Sequence, residues 1–123
     1  MIIAIDFDGT CVTHEYPEIG KDIGAQDVLR KLVDAGHKLI LWTMRSGQTL
    51  SDAERWFESN DIPLWGVNVN PEQRTWTQSQ KAYAQLYIDD AALGAPLIAP
   101  KGERSYLDWS YVKMWLYRDG VLF

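Results

Sequence analysis

The fold is decided by residues 2–10, which read Ile-Ile-Ala-Ile-Asp-Phe-Asp-Gly-Thr. The first four form a continuous apolar run, mostly β-branched, that is typical of a strand buried on both faces inside a parallel sheet. Asp6 and Asp8 follow directly, and Gly9 lets the backbone turn there. The sequence therefore predicts a buried first strand whose carboxyl end carries two carboxylates.

Outward from this strand, apolar runs alternate with helical patterns. Further strands are predicted at 39–42, 65–69 and 86–88, with a weaker one at 97–99. Helices are predicted over about ten residues ending at Gly36, around Leu50 to Phe57 with a capping box at 51–54, and from Asp108 to Arg118. Strands that alternate with helices predict an α/β fold, a Rossmann-like three-layer sandwich with a central parallel sheet.

Composition limits the possible classes of protein. The chain has 123 residues, 46% hydrophobic and 24% charged, which predicts one domain over 1–123, with a core at 1–99 and an aromatic-rich helical segment at 101–123. A net charge of −5 makes nucleic acid an unlikely partner and argues against an anionic membrane. The single Cys11 is typical of a reducing compartment, and no apolar run approaches the roughly 18 residues of a membrane span. We expect a cytoplasmic protein.

Polar side chains at the ends of the predicted strands should meet at one edge of the sheet. Crowded carboxylates repel one another unless a proton or a metal neutralises them, and an oxygen-only ligand set favours Mg²⁺. A carboxylate beside Mg²⁺ can also attack phosphorus. The set therefore points to phosphoryl transfer, and its members are Asp6, Asp8, Thr43, Lys81, Asp89 and Asp90.

In order and spacing, these residues resemble the four motifs of the haloacid dehalogenase (HAD) superfamily. The resemblance covers about residues 1–99 and rests on Asp-x-Asp-Gly-Thr, Leu-Trp-Thr-x-Arg, the later lysine, and Leu-Tyr-Ile-Asp-Asp. It is strongest to small cap-less (C0-type) phosphatase-like members, since neither usual cap position holds a domain. The resemblance implies a HAD-like fold without a cap.

The resemblance also implies catalytic roles. Asp6 would be the nucleophile that attacks phosphorus, and Asp8 would protonate the leaving oxygen and later deprotonate the hydrolytic water. Thr43 would hydrogen-bond a phosphoryl oxygen. Lys81 would neutralise the charge on the phosphoryl group and hold Asp6.

A magnesium site and substrate contacts follow from the same resemblance. Mg²⁺ would rest on Asp6, on the main-chain carbonyl of Asp8 and on the acid after the fourth strand, for which we favour Asp89 with Asp90 in support. Candidate substrate contacts are Gly9, Thr10, His14 and Arg45. His14 lies in the long loop from Phe7 to Gly24, which folds as a flap near the site in this family, and for Arg45 a surface role is an equal alternative.

The sequence thus predicts a Mg²⁺-dependent phosphomonoester hydrolase that acts through an aspartyl-phosphate on an unidentified substrate, a small molecule or a macromolecule. Alternatives are a HAD-like binding or regulatory protein without turnover and a nucleic-acid end phosphatase. A phospho-accepting receiver domain is disfavoured because no acid follows the third strand.

The aromatic segment 101–123 is expected to dock the last helix on the sheet. Trp109, Val112 and Leu116 form its apolar face, while Tyr111 and Trp115 form a neighbouring stripe. That second stripe predicts a possible homo-oligomer through this segment.

Overall fold

The computed structural model describes residues 1–123 and contains a central four-stranded parallel sheet flanked by helices. Its elements are β1 (Ile2–Ile5), α1 (Ala25–Asp34), β2 (Lys38–Leu41), α2 (Gly47–Ser59), β3 (Gly66–Val67), β4 (Leu86–Ile88), β5 (Leu97–Ile98), β6 (Tyr106–Leu107) and α3 (Trp109–Arg118). The sheet order is β3-β2-β1-β4. The predicted α/β class with a central parallel sheet is confirmed. None of the helices is both long and apolar enough to cross a membrane.

One face of the sheet packs against all three helices. Because strand side chains alternate, Ile3 and Ile5 project to the same side, and both belong to the largest buried cluster. The buried side chains of α1, α2 and α3 belong to that cluster as well. At its centre Phe7 meets Trp56 and Phe57, with ring centroids 5.6 and 6.0 Å away.

The other face of the sheet differs from the expected sandwich. Ala4 and Ile40 are neighbours in the register and are buried, yet they lie outside the main cluster. Beside them on β4, the Tyr87 hydroxyl donates to the Ala82 carbonyl and accepts from the Ala84 N–H. The segment between β3 and β4 thus covers this face with irregular chain and one 3₁₀ turn at Gln73–Thr75, where a helix would complete a three-layer arrangement.

The predicted strand at 97–99 is not a fifth strand of the parallel sheet. β5 pairs antiparallel with β6 in a separate two-stranded sheet. A parallel neighbour for β4 would need a crossover of about a dozen residues or more, and only residues 89–96 separate β4 from β5.

The α2 helix begins one turn before the predicted capping box at 51–54. Ser46 is its N-cap, in extended conformation. The Thr49 hydroxyl donates to the Ser46 carbonyl at 2.8 Å, and the Ser51 hydroxyl donates back to Gly47 within the helix. Ser51 is therefore an internal residue of α2.

The α3 helix docks as expected through Trp109, Val112 and Leu116, which are all buried. The Trp109 indole N–H donates to the Thr10 carbonyl at 2.6 Å, so α3 holds the loop that follows β1. On the outer side Tyr111 is about half exposed. Self-association through this side stays a prediction.

We expect Trp109→Phe to lower the free energy of unfolding by about 1–3 kcal/mol, because it leaves the Thr10 carbonyl without its buried donor. Urea denaturation followed by far-UV circular dichroism measures this change. Trp76→Phe is the matched control, since Trp76 is 63% exposed. Equal effects of the two substitutions would show that the buried hydrogen bond contributes nothing.

Candidate functional site

Hydrogen bonding continues one residue past three of the parallel strands and fixes the edge where they end. Asp6 donates its backbone N–H to β4, Trp42 to β1 and Asn68 to β2, at 3.0, 2.8 and 2.7 Å. The next residue after Trp42 is Thr43, and the next after β4 is Asp89. These residues open into one cavity of about 530 Å³ at the carboxyl edge of the sheet, as expected for this class of fold.

Three carboxylates converge at this edge. Asp6, Asp89 and Asp90 each offer an oxygen, and these atoms all lie within 4.8 Å of one another. Burial, and then the charge of Asp89, raise the pKa of Asp6 to about 8. A positive charge at the cluster would offset both causes, so the set suits a bound cation.

Asp90 is held in place by two neighbouring side chains. The Thr10 hydroxyl lies 2.9 Å from Asp6 Oδ2 and 3.0 Å from Asp90 Oδ1, and it accepts the Asp90 N–H at 2.9 Å. His14 Nε2 lies 2.8 Å from Asp90 Oδ2. Both oxygens of Asp90 are therefore already engaged, whereas Asp89 lines the cavity and receives only the Ala91 N–H. This difference leaves the Asp89 carboxylate freer than that of Asp90 to bind a cation.

Gly9, Thr10 and His14 are arranged differently from the expected substrate contacts. Thr10 is fully buried, and the His14 side chain is bound to Asp90. A Cβ on Gly9 would overlap the His14 ring and lie 2.5 Å from Asp90 Oδ2, and the Gly9 φ is +79°. In this structure the three residues shape and brace the acid cluster, and none of them lines the cavity.

Arg45 meets neither of its two sequence expectations. It is 3% exposed, so it is not a surface residue. Its Nε and Nη2 donate to the two Asp8 oxygens at 2.8 and 2.7 Å. The remaining N–H groups donate to the carbonyls of Pro17, Thr49 and Glu18 at 3.2, 3.0 and 2.8 Å. Because these bonds use all five guanidinium donors, Arg45 has none left for a substrate.

The same guanidinium ties the long loop to the sheet edge. Its carbon lies 5.0 Å from the Phe7 ring centroid and 5.2 Å from that of Tyr16. The hydrogen bond to Asp8 is the main cause that raises the pKa of Arg45. Arg45 thereby fixes the Asp8 carboxylate and loop residues 16–18 together.

Lys81 does not reach Asp6 in this structure, which differs from its expected role. Its ammonium lies 5.4 Å from the Tyr87 ring centroid, and no hydrogen bond or ion pair joins it to Asp6. The buried Gln73 fixes the backbone here, because its Nε2 donates to the carbonyls of Ser79 and Lys81 at 2.9 and 3.0 Å. The lysine side chain is exposed.

Sequence reasoning missed most of the cavity lining, including Asn68 and Arg74. Asn68 follows β3 and accepts the Thr43 N–H at 2.8 Å through its side-chain oxygen. Its position at a strand end, the same signal that identified Asp6 and Thr43, was sufficient to find it. Arg74 also lines the cavity, but it lies in an irregular segment where no pattern distinguishes it.

The donor set fits a hard divalent cation. Asp6 and Asp89 supply carboxylate oxygens, and the main-chain carbonyl of Asp8 accepts no hydrogen bond within the protein. No histidine or cysteine belongs to the cluster. Oxygen ligands of this kind suit Mg²⁺.

The chain is similar in structure and sequence to a protein of known structure. No family model and no curated protein matches it. A conserved protein from Bacteroides thetaiotaomicron matches with a TM-score of 0.79 and 35% sequence identity, over 97% of this chain and 91% of that chain. The chain therefore belongs to the same protein family as this conserved Bacteroides protein.

Proposed function

We propose that the chain is a cap-less HAD-type hydrolase that cleaves phosphomonoesters with Mg²⁺ through an aspartyl-phosphate on Asp6. The convergence of Asp6, Asp89 and Asp90 at the carboxyl edge of the sheet carries this proposal. Thr43 lines the same cavity, so a nucleophile, a cation site and a hydroxyl donor share one space. The motif resemblance agrees with this arrangement.

The metal would be held by Asp6, Asp89 and the Asp8 carbonyl, with Asp90 in support. A bound magnesium ion supplies positive charge that stabilises phosphoryl oxygens and neutralises the carboxylates. Thr10 and His14 hold Asp90 beside this site, and Thr10 also donates to Asp6, so these two carboxylates are held in place without a bound ion.

In the proposed reaction an Asp6 carboxylate oxygen attacks phosphorus and the bond from phosphorus to the ester oxygen breaks. The leaving oxygen takes a proton and departs as an alcohol. Water then attacks the phosphorus of the aspartyl-phosphate, so that inorganic phosphate leaves and the Asp6 carboxylate is restored. The Thr43 hydroxyl accepts the backbone N–H of Arg45 at 3.2 Å, which leaves the hydroxyl proton free for a phosphoryl oxygen.

Asp8 would move the protons in both steps. It would give a proton to the leaving oxygen and later accept one from the hydrolytic water. Arg45 donates one hydrogen bond to each of its oxygens, so the carboxylate is held in one orientation while each oxygen keeps a second lone pair that can take up a proton. Positioning of this kind lowers the entropic cost of proton transfer.

Magnesium binding is expected to raise the melting temperature of the wild-type protein, because the ion binds only the folded acid cluster. Differential scanning calorimetry with and without millimolar Mg²⁺ measures the shift. Asp89→Asn should abolish most of it, while Asp34→Asn, an exposed acid at the end of α1, should preserve it. An unchanged shift in Asp89→Asn would remove Asp89 from the ligand set.

Steady release of phosphate from 4-nitrophenyl phosphate is expected with Mg²⁺, and chelation should stop it. Asp6→Asn should reduce kcat by at least about 10³-fold, since the covalent route is lost. Rapid acid quench with a ³²P-labelled ester should label the wild type and not the variant. A protein that binds Mg²⁺ but releases no phosphate from a broad ester panel would instead favour the binding protein without turnover.

Arg45→Lys is expected to lower kcat by about tenfold or more while KM changes by less than about threefold, because Arg45 positions Asp8 and does not touch the substrate. Steady-state kinetics separates the two constants. Arg30→Lys serves as the control, because Arg30 forms a partly exposed ion pair with Asp27 on α1. A raised KM with unchanged kcat would restore the direct substrate contact expected from the sequence.

A further inference from the structure

The cavity at the sheet edge is larger than a phosphoryl group requires. Its volume of about 530 Å³ lies in the range of pockets that enclose complete small ligands. Asp6, Thr43 and Asp89 occupy one part of its lining, and the rest comes from the ends of β2 and β3 and from the segment before β4. That remaining part would surround the leaving group of a phosphate ester.

Part of the cavity lining away from Asp6, Thr43 and Asp89 is apolar and exposed to solvent. Met44 is 98% exposed and Val69 is 51% exposed, and both line the cavity together with the half-buried Trp42. Met44 is almost fully exposed and the other two are partly exposed, and all three line one opening. A flexible methionine adapts to varied apolar shapes, and an apolar ligand face would remove all three from water.

The rest of the cavity lining also contains one positively charged side chain. Arg74 is the only positively charged residue that lines the cavity. Its guanidinium donates to Gln78 Oε1 at 3.0 Å, and no carboxylate pairs with it. The Gln78 amide is neutral, so no protein carboxylate compensates the Arg74 charge in this cavity. An anionic group on a ligand would complement it.

The backbone that carries Arg74 is fixed. The adjacent Gln73 is 5% exposed, and its side chain bonds to Ser79, Lys81 and Tyr83 at 2.9, 3.0 and 2.7 Å. Asn70 adds a bond to the Tyr83 carbonyl at 2.9 Å. The Arg74 charge is therefore presented from a braced wall of the cavity.

Resting on the proposed phosphatase activity, we infer that the substrate is a small phosphate ester whose leaving group combines an apolar body, seated against Trp42, Met44 and Val69, with a second anionic group that pairs with Arg74. The single positively charged side chain and the limited volume of the cavity suit a small molecule. A polynucleotide would need further positive charge, and the net charge of the chain is −5.

Two pairs of esters test this inference: 3- and 4-carboxyphenyl phosphate, and their uncharged carbamoyl counterparts. The members of each pair have nearly equal size and differ in one negative charge. For the wild type we expect a higher kcat/KM for the carboxylates, by about twofold to fivefold, as for a partly exposed ion pair. Arg74→Gln should bring this ratio close to one. Arg55→Gln, an exposed arginine outside the cavity, should keep the wild-type ratio.

The apolar contact is tested separately. Met44→Ser should lower kcat/KM for all four esters by about threefold to tenfold without changing the ratio within a pair, because it removes only apolar contact. Met114→Ser, a half-exposed methionine on α3, is the control. Equal effects of the two substitutions would overturn the apolar half of the inference.

Measuring the binding of the esters distinguishes a failure of this inference from a failure of the proposed function. Calorimetric titration of the four esters into Asp6→Asn measures dissociation constants without turnover. Turnover of every ester at similar rates, with no preference lost in Arg74→Gln, overturns the inference and leaves the phosphatase intact. Tighter binding of the carboxylate than of the carbamoyl member of each pair, without turnover by the wild type, refutes the phosphatase instead. A strong preference for a 5′-phosphorylated oligonucleotide over all four esters would overturn the assignment to a small molecule.

Discussion

The bidentate ion pair between Arg45 and Asp8 is the interaction on which the arrangement at the sheet edge depends. A buried guanidinium is tolerated only when its charge is paired and its donors are satisfied. Here one arginine meets both demands by gathering a carboxylate and three carbonyls from separate parts of the chain. The loop after β1, the start of α2 and the acid beside the nucleophile candidate thereby form one unit. An apolar residue at this position would leave all of these groups to find other partners.

The sequence was sufficient for features that depend on local patterns. The run before Asp6 identified a doubly buried strand, and the periodicity of Trp109, Val112 and Leu116 identified the buried face of α3. The carboxyl-end rule placed Asp6 and Asp89 at the same edge, where the structure has them within reach of one cation. These inferences succeed because hydrophobic periodicity acts within a few residues, and because parallel strands bring their carboxyl ends to one edge of the sheet.

Features that depend on distant neighbours were not predictable in the same way. Arg45 is buried because Asp8, which is 37 residues away in the sequence, and several backbone carbonyls surround its guanidinium. No local sequence pattern indicates these contacts. Lys81 matches the family spacing, yet side-chain bonds from Gln73 fix the backbone around it while its own side chain lies over Tyr87. The composition of 97–99 suits a strand, but it does not show that the short connection from β4 prevents parallel pairing between the two.

The hydrogen bond from Trp109 to Thr10 joins the last helix to the residue that bridges Asp6 and Asp90. A ligand at the acid cluster and a contact that holds α3 in its docked position would therefore act on the same loop, and by thermodynamic reciprocity any effect of one on the other is mutual. The half-exposed outer side of α3, with Tyr111 and Met114, is thus more than a surface that another molecule could cover. It is the outer side of the same helix whose inner side donates the hydrogen bond to Thr10.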